Sequence, residues 1–324
     1  MTRAIRFYEV GGPEVLRWEE FPLADPGPGE VLLRHTAIGV NFIDTYHRSG
    51  LYPLPLPSGL GLEGAGVVEA VGPGVSDLAV GQRVAYAGGP VGAYSQRRCF
   101  PAQRLVPLPD DIPDTTAAAV LLKGMTAEYL LCRTFPVQPG QTILVHAAAG
   151  GVGLILCQWA RHLGATVIGT VSSDDKAEVA RRHGCHHVVV SSRESFVDRV
   201  RALTGGVGVA VVYDSVGRDT WDGSLDCLAR RGMMVSFGNA SGPVPAFSPL
   251  VLSAKGSLFL TRPTLMDYTA TREELLASAE RVFGVLRSGV VRVRIHRTYP
   301  LEEAAAAHRE LEGRRTAGAL VLLP

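Results

Sequence analysis

The sequence predicts an α/β chain in which a β-rich domain accompanies a doubly wound, parallel six-stranded sheet. Three observations carry this. Residues 142–170, TILVHAAAGGVGLILCQWARHLGATVIGT, read as strand, glycine-rich turn, helix and second strand, within about 30 residues, the size of one βαβ unit. From Lys123 to about Arg262, apolar strand-like runs alternate with helical segments, at 143–145, 166–170, 188–190, Val209–Val212, Met233–Phe237 and Ser257–Thr261. Six such runs make two mononucleotide-binding halves. Residues 1–110 instead show short alternating runs divided by glycine and proline turns.

Taken in order, Ile5–Val10 and Val15–Trp18 flank a Gly11-Gly12-Pro13 turn, and Val31–Val40 follows the loop Pro26-Gly27-Pro28-Gly29. The stretch Gly39–Pro53 follows a strand and precedes a proline-rich loop, so its polar side chains are expected on a loop presented by the scaffold. Glycine-dense turns and short strands continue from Gly59 to Tyr86. Asp110-Asp111-Ile112-Pro113 is expected to start a long helix, with Pro113 in its first turn and an alanine-rich run through Leu122. Thr271-Arg-Glu-Glu274 is a capping box opening a helix that ends at Gly289. Val291, Val293 and Ile295 alternate as a strand, Pro300–Leu311 reads as a helix, and Ala319–Leu323 as a closing strand that returns to the first domain.

The turn Ala148-Ala149-Gly150-Gly151-Val152-Gly153 fits G-x-G-x-x-G with alanine at the first glycine. Gly150 then stands where backbone must approach a pyrophosphate, and Gly153 where helix and strand pack closely. Free N–H groups at the start of the following helix face an anion. In such sites an acid about 20 residues on accepts the ribose 2′-OH of NAD, and its absence beside a cation suits a 2′-phosphate. Val167-Ile168-Gly169-Thr170 carries no acid, while Ser172, Ser173 and Lys176 follow, which favours NADPH. Asp174 and Asp175 oppose it; they also suit a first helical turn, with Ser172 and Asp175 as its capping box.

Charge excludes more than it suggests. A net charge of +1, with no basic run interleaved with aromatics, gives no electrostatic footprint for nucleic acid or an anionic membrane. The stretch from Gln141 to Arg161 is long and uncharged enough to suit a membrane span, but three glycines, His146 and the change from strand to helix pattern argue against it. The N-terminus lacks the apolar core of a signal peptide, so the cytoplasm is the expected compartment. Five scattered cysteines read as reduced thiols. No C-x-x-C occurs, and His183, Cys185, His186 and His187 read as a helix C-terminus rather than a metal site.

Several motifs in a shared order then point further: Val40-Asn41-Phe42-Ile43-Asp44, Arg48-Ser49-Gly50-Leu51-Tyr52, the His146–Gly153 turn, Tyr213-Asp214-Ser215-Val216-Gly217, Val235-Ser236-Phe237-Gly238-Asn239 and Thr261-Arg262-Pro263. Over its whole length the chain resembles the zinc-independent quinone oxidoreductases, the zeta-crystallin-like group of the medium-chain dehydrogenase/reductase superfamily. The resemblance implies a GroES-like catalytic domain built from residues 1–122 and 264–324, with a Rossmann NADP-binding domain, residues 123–263, inserted between them and a cofactor cleft at their junction. It also implies that Asn41 and Leu62 stand where zinc alcohol dehydrogenases of the superfamily place a cysteine and a histidine; neither side chain replaces those ligands.

Without a metal, alcohol oxidation loses its Lewis acid, and hydride delivery to an electrophilic quinone or activated alkene is the easier chemistry. The resemblance implies Asn41 as an amide partner of nicotinamide carboxamide or of an acceptor oxygen, with Tyr46 and Tyr52 as pocket walls able to donate a proton or hydrogen bond. Each has a plainer alternative, a turn cap for Asn41 and ordinary packing for the tyrosines. Tyr129, Gly150, Gly151, Val152, Gly153, Ser172, Ser173, Lys176, Val216, Phe237, Arg262 and Arg314 are expected around the cofactor, Arg314 as a bidentate phosphate partner. Where relatives have a tyrosine beside the 2′-phosphate, this chain has Ser191. The leading expectation is an NADPH:quinone reductase that dimerises through the edge strand Ser257–Thr261. A 2-alkenal or enone reductase, and a cofactor-binding protein with a structural or RNA-binding role, are the alternatives.

Overall fold

The computed structural model describes all residues from Met1 to Pro324. The chain begins with β1 (Thr2–Phe7), β2 (Arg17–Phe21), β3 (Glu30–Val40), α1 (Phe42–Ser49), β4 (Ser58–Gly59), β5 (Glu63–Val71), β6 (Arg83–Ala87), β7 (Arg97–Pro101), β8 (Val106–Pro107) and α2 (Asp114–Tyr129). Next come β9 (Thr142–Val145), α3 (Gly151–His162), β10 (Thr166–Val171), α4 (Asp174–Arg182), β11 (His187–Val190), α5 (Phe196–Leu203), β12 (Val209–Asp214), α6 (Trp221–Cys227), β13 (Leu228–Ser236), α7 (Leu250–Ala254), β14 (Phe259–Thr261) and α8 (Leu265–Tyr268). The chain closes with α9 (Arg272–Arg287), β15 (Ile295–Pro300), α10 (Ala304–Glu312) and β16 (Ala319–Leu323).

Two compact units result. One holds Met1–Met125, Thr269–Phe283 and Val293–Pro324; the other holds Thr126–Tyr268 and Gly284–Arg292. The sequence places these borders at 122/123 and 263/264, and the first of those falls inside α2, which runs on to Tyr129.

In the first unit β3 is the hub, antiparallel to β5, β7 and β16, and β16 pairs in parallel with β15. The closing strand therefore does return to the first domain. Its core gathers Val31, Leu33, Ile38 and Phe100 of these strands with Phe7 of β1 and the loop residues Tyr94 and Leu105. In the second unit the strand order is β11-β10-β9-β12-β13-β14, all parallel. This is the dinucleotide-binding order 3-2-1-4-5-6, whose direction reverses between β9 and β12. Ile143, Leu144 and Val145 are fully buried, as expected of a strand covered on both faces. No helix is long and apolar enough to cross a membrane.

Several expectations need correction. Residues 42–49 are a helix, not a loop: Asn41 caps it, its N–H donating to Asp44 Oδ2 at 2.9 Å, and Gly50 closes it at φ +80°. Pro113 lies outside α2, because the helix opens at Asp114; its carbonyl accepts from Ala117 N–H. Residues 233–236 belong to a longer strand starting at Leu228, with Phe237 just past its end, whereas Ser257 and Leu258 precede β14. Ser257 itself is left-handed, φ +57°, which no strand residue adopts. Val291 and Val293 precede β15, and Pro300 ends that strand rather than starting a helix. Ser173, not Ser172, is the N-cap of α4, and its side chain makes no capping bond.

Candidate active site

In the second unit the chemistry starts at the end of β9, where the strand order reverses. His146 N–H donates to Tyr213 O at 3.0 Å and Ala148 N–H to Thr170 O at 3.0 Å, so the turn leaves the sheet along its two neighbours. Ala147 takes φ +50° and its carbonyl accepts from Gly150 N–H at 2.8 Å. A Cβ at Gly153 would lie 2.3 Å from that same carbonyl, which explains the glycine. Gly150 caps α3, no side chain caps it, no acid occupies its first turn, and the first helical bond closed is Leu154 N–H to Gly150 O at 2.9 Å. The amides of Gly151, Val152 and Gly153 thus precede the helical ladder with the positive end of the helix dipole behind them. This cradle fits a diphosphate.

A buried network holds the reversal point rigid. Asp214 Oδ1 accepts from Val216 N–H at 2.7 Å and Gly217 N–H at 2.9 Å, and Oδ2 accepts from Thr220 Oγ1 at 2.7 Å and Ser224 Oγ at 2.9 Å. Since Ser224 donates to Asp214, it accepts from His146 Nε2 at 2.9 Å, and His146 Nδ1 then accepts from Thr170 Oγ1 at 2.9 Å. Burial holds the His146 pKa below the usual value against the pull of Asp214, so the ring is a neutral strut. Val216 therefore sits on an immobilised turn, and Phe237 N–H is fixed to Asp214 O at 2.8 Å.

Elsewhere in the second unit, Tyr129 stacks on Tyr268 with centroids 4.4 Å apart and planes 9° apart, and the Arg133 guanidinium lies 5.1 Å from the Tyr268 ring. Burial raises the Tyr129 phenol. Arg262 Nη1 donates to Ser236 Oγ at 3.2 Å and Gly238 O at 3.1 Å. Beyond β10, Ser172 and Ser173 are exposed, and Lys176 is half-buried on α4. Ser191 is less free than its type suggests, because its hydroxyl donates to Val171 O at 3.1 Å. In the His183–His187 stretch, His183 Nδ1 faces Val179 O at 2.7 Å and His186 Nδ1 accepts from Val167 N–H at 3.0 Å.

In the first unit, Asn41 is the N-cap of α1, Tyr46 lies on that helix and Tyr52 follows it. Asn41 is buried, and its Nδ2 donates to Glu63 Oε2 at 2.8 Å. Glu63 is fully buried and accepts twice more, from Lys123 Nζ at 2.8 Å and Leu122 N–H at 2.8 Å. The Tyr46 and Tyr52 rings meet edge to face at 5.2 Å, and Phe42 lies 5.8 Å from Tyr46. Arg314 is exposed at the end of α10 in a left-handed conformation, φ +53°.

A second chain of buried polar groups, which sequence reasoning missed, anchors α1. Arg48 donates to Glu312 through Nη1 at 3.0 Å and Nη2 at 2.6 Å, and from Nη1 to His308 Nδ1 at 3.0 Å. Because arginine only donates, the His308 proton is on Nε2, which donates to Tyr94 Oη at 3.1 Å; Tyr94 in turn donates to Asp44 Oδ2 at 2.9 Å. Asp44 Oδ1 has no partner. Burial pushes the Asp44 carboxyl up to about 7, against the Asn41 N–H and Tyr94 hydrogen bonds.

These groups set an acid limit on stability. Burial holds His308 and His35 down at about 3, so both are neutral in the fold. A depressed histidine stabilises fully above its unfolded pKa of 6.5, and that contribution falls as pH drops below 6.5, by about 1.4 kcal/mol per pH unit for each ring. Asp44, raised instead, acts with opposite sign, contributing less as pH climbs from 4 through 7. Two rings outweigh one carboxyl, so urea unfolding midpoints should fall between pH 6.5 and 5, with a net loss of about 1.4 kcal/mol per unit. A midpoint that is flat or rising over that interval would show the histidines protonated in the fold.

Comparison with known proteins decides the family. Residues 27–110 match the alcohol dehydrogenase GroES-like domain and residues 151–279 the zinc-binding dehydrogenase family. The chain is 56% identical to a quinone oxidoreductase of Pseudomonas aeruginosa, with 100% of each chain covered. The chain belongs to the quinone oxidoreductase family. Within this family and its medium-chain dehydrogenase/reductase superfamily, the chain is also 51% identical to a 2-haloacrylate reductase of Burkholderia, covering 100% of this chain and 99% of the other. The crystal structure of Escherichia coli quinone oxidoreductase complexed with NADPH superposes with a TM-score of 0.98 at 50% identity, over 99% of this chain and 100% of that one. The zinc in the name of the second matched family does not fit the residues present. No group of three or more His, Cys, Asp or Glu side chains is placed to hold a metal ion, and the Asn41 amide is engaged with Glu63.

Proposed function

We propose that this chain reduces quinones with NADPH by hydride transfer, with no step routed through a metal ion. The observation that carries the reading is the uncapped, acid-free start of α3 at the reversal of a 3-2-1-4-5-6 sheet, in a chain 50–56% identical to quinone oxidoreductases over full length. Bound NADPH supplies a hydride which, with one proton, converts a quinone to a hydroquinone. The amides of Gly151, Val152 and Gly153, with Gly150 allowing close approach, hold the diphosphate. Ser172, Ser173 and Lys176 receive the 2′-phosphate; Ser191 stands beside them with its hydroxyl hydrogen already committed. Tyr129, Val216, Phe237 and Arg262 line the rest of the cofactor, and Arg314 pairs with phosphate.

Asn41 hydrogen-bonds the carboxamide or the acceptor oxygen. One Nδ2 hydrogen is taken by Glu63, so the orientation of the amide is set before any ligand arrives. Tyr46 and Tyr52 wall the acceptor and offer a hydroxyl to the oxygen that gains the proton.

A second reading, reduction of an activated alkene, is favoured by the 51% identity to a 2-haloacrylate reductase. NADPH oxidation followed with para-quinones, ortho-quinones, enones and 2-haloacrylate separates the two. Faster turnover of quinones is expected; turnover of the alkenes alone would leave the second reading standing.

We also propose a homodimer joined at the outer edge of β14, where Phe259 is 57% and nearby Leu250 75% exposed. Light scattering at micromolar concentration should give twice the mass of one chain, and a monomer alone would count against it. Five free cysteines support residence in the reducing cytoplasm.

A further inference from the structure

We propose that Arg193 is the residue that selects NADPH over NADH, by passing from Asp174 to the 2′-phosphate when the cofactor binds. This rests on the NADPH reading above and assigns it a specificity-determining side chain. In a sheet of this order the carboxyl end of the second strand, here β10, meets the adenosine ribose; an acid there accepts a 2′-OH, and an arginine accommodates a 2′-phosphate. β10 ends at Val171 with no acid, and the first carboxylates beyond it are Asp174 and Asp175 in the first turn of α4. A bare Asp174 would repel a phosphate.

The neighbouring strand supplies the remedy. β11 pairs in parallel with β10, Val190 opposite Val171, and Ser191 N–H extends the pairing to Val171 O at 2.9 Å. The chain then turns, with Arg193 N–H donating to Val190 O at 2.9 Å, and the Arg193 guanidinium pairs with Asp174. Asp174 is thereby neutralised at the sheet edge where the ribose is expected. A guanidinium has five donors in a planar fork, more than one carboxylate takes up, and that fork matches phosphate oxygens. The pair is weakly held, since the side chains are 59% and 69% exposed, and a phosphate carrying nearly two charges competes well against a single carboxylate. Ser191 can add a hydrogen bond only by turning its hydroxyl away from Val171 O, and it brings no charge.

The test is calorimetric titration of the whole protein with 2′,5′-ADP and with 5′-AMP, which differ by the 2′-phosphate and need no turnover. Wild type is expected to bind 2′,5′-ADP more tightly. Arg193→Ala should lose about tenfold of that affinity with 5′-AMP unchanged, Arg193→Lys should recover part of it, and Asp174→Asn should bind 2′,5′-ADP more tightly than wild type. Arg193 is exposed, so the variants keep the fold. If Arg193→Ala binds 2′,5′-ADP as wild type does, the assignment to Arg193 is overturned while the NADPH reading stands. If wild type binds both probes equally, the NADPH reading falls and the assignment with it.

Discussion

Glu63→Gln should lower the free energy of unfolding by about 3–5 kcal/mol, the range for breaking a buried ion pair from one side. Glu63 is fully buried, and Lys123 Nζ, Asn41 Nδ2 and Leu122 N–H all converge on its carboxylate. A glutamine keeps the shape and can accept from Leu122, yet it strands the Lys123 ammonium, itself only 6% exposed, without a counter-charge. Removing both charges as Glu63→Gln with Lys123→Met should restore most of the lost stability, because the penalty belongs to the unpaired charge rather than to the missing contact. Denaturant unfolding of the three proteins measures this. A single variant as stable as wild type would mean that the pair is solvated in solution. The double variant should still reduce quinones more slowly than wild type, since the Asn41 amide would have lost the acceptor that orients it.

Gly153→Ala should raise the KM for NADPH by at least about tenfold. The added methyl meets Ala147 O at 2.3 Å and Ala148 Cα at 2.9 Å, all backbone, so the turn itself must shift and take the three amides with it. Gly150→Ala makes a contrast. Its added methyl would meet the Ala147 carbonyl at 3.1 Å, so the backbone must give by only a few tenths of an ångström, whereas the diphosphate must approach the backbone where the methyl now stands. The thermal unfolding midpoint should therefore fall further for Gly153→Ala than for Gly150→Ala, while NADPH affinity falls for both. Undiminished affinity in both variants would place the diphosphate elsewhere.

The second unit is readable in sequence because its signals are local. Ile143–Val145 is an uninterrupted apolar run, the glycines sit where backbone crowds, and β10 ends without an acid, all within one stretch of chain. The first unit's helix α1 is not readable in the same way, and the reason lies in its partners. Asp44, Arg48 and the capping Asn41 look like solvated polar residues of a loop, but each is buried against groups distant in sequence: Asp44 on Tyr94, Arg48 on His308 and Glu312, Asn41 on Glu63. A buried charge is legible only through its counter-charge, and a linear reading holds no record of pairs 22 to 264 residues apart. The Asn41-to-Asp44 cap is the one local hint, an Asp three residues after an Asn where Glu or Gln is the commoner partner. The Ser191 hydrogen bond is hidden from a linear reading for a similar reason, since the carbonyl that takes its hydroxyl belongs to the adjacent strand, 20 residues back.

The most direct measurement is titration calorimetry of the wild-type protein with NADPH. One saturable site per chain is expected, with a dissociation constant of roughly micromolar order, and with the heat abolished by prior saturation with NADP+. No binding heat with either NADPH or NADH would contradict a dinucleotide diphosphate resting on the amides of residues 151–153.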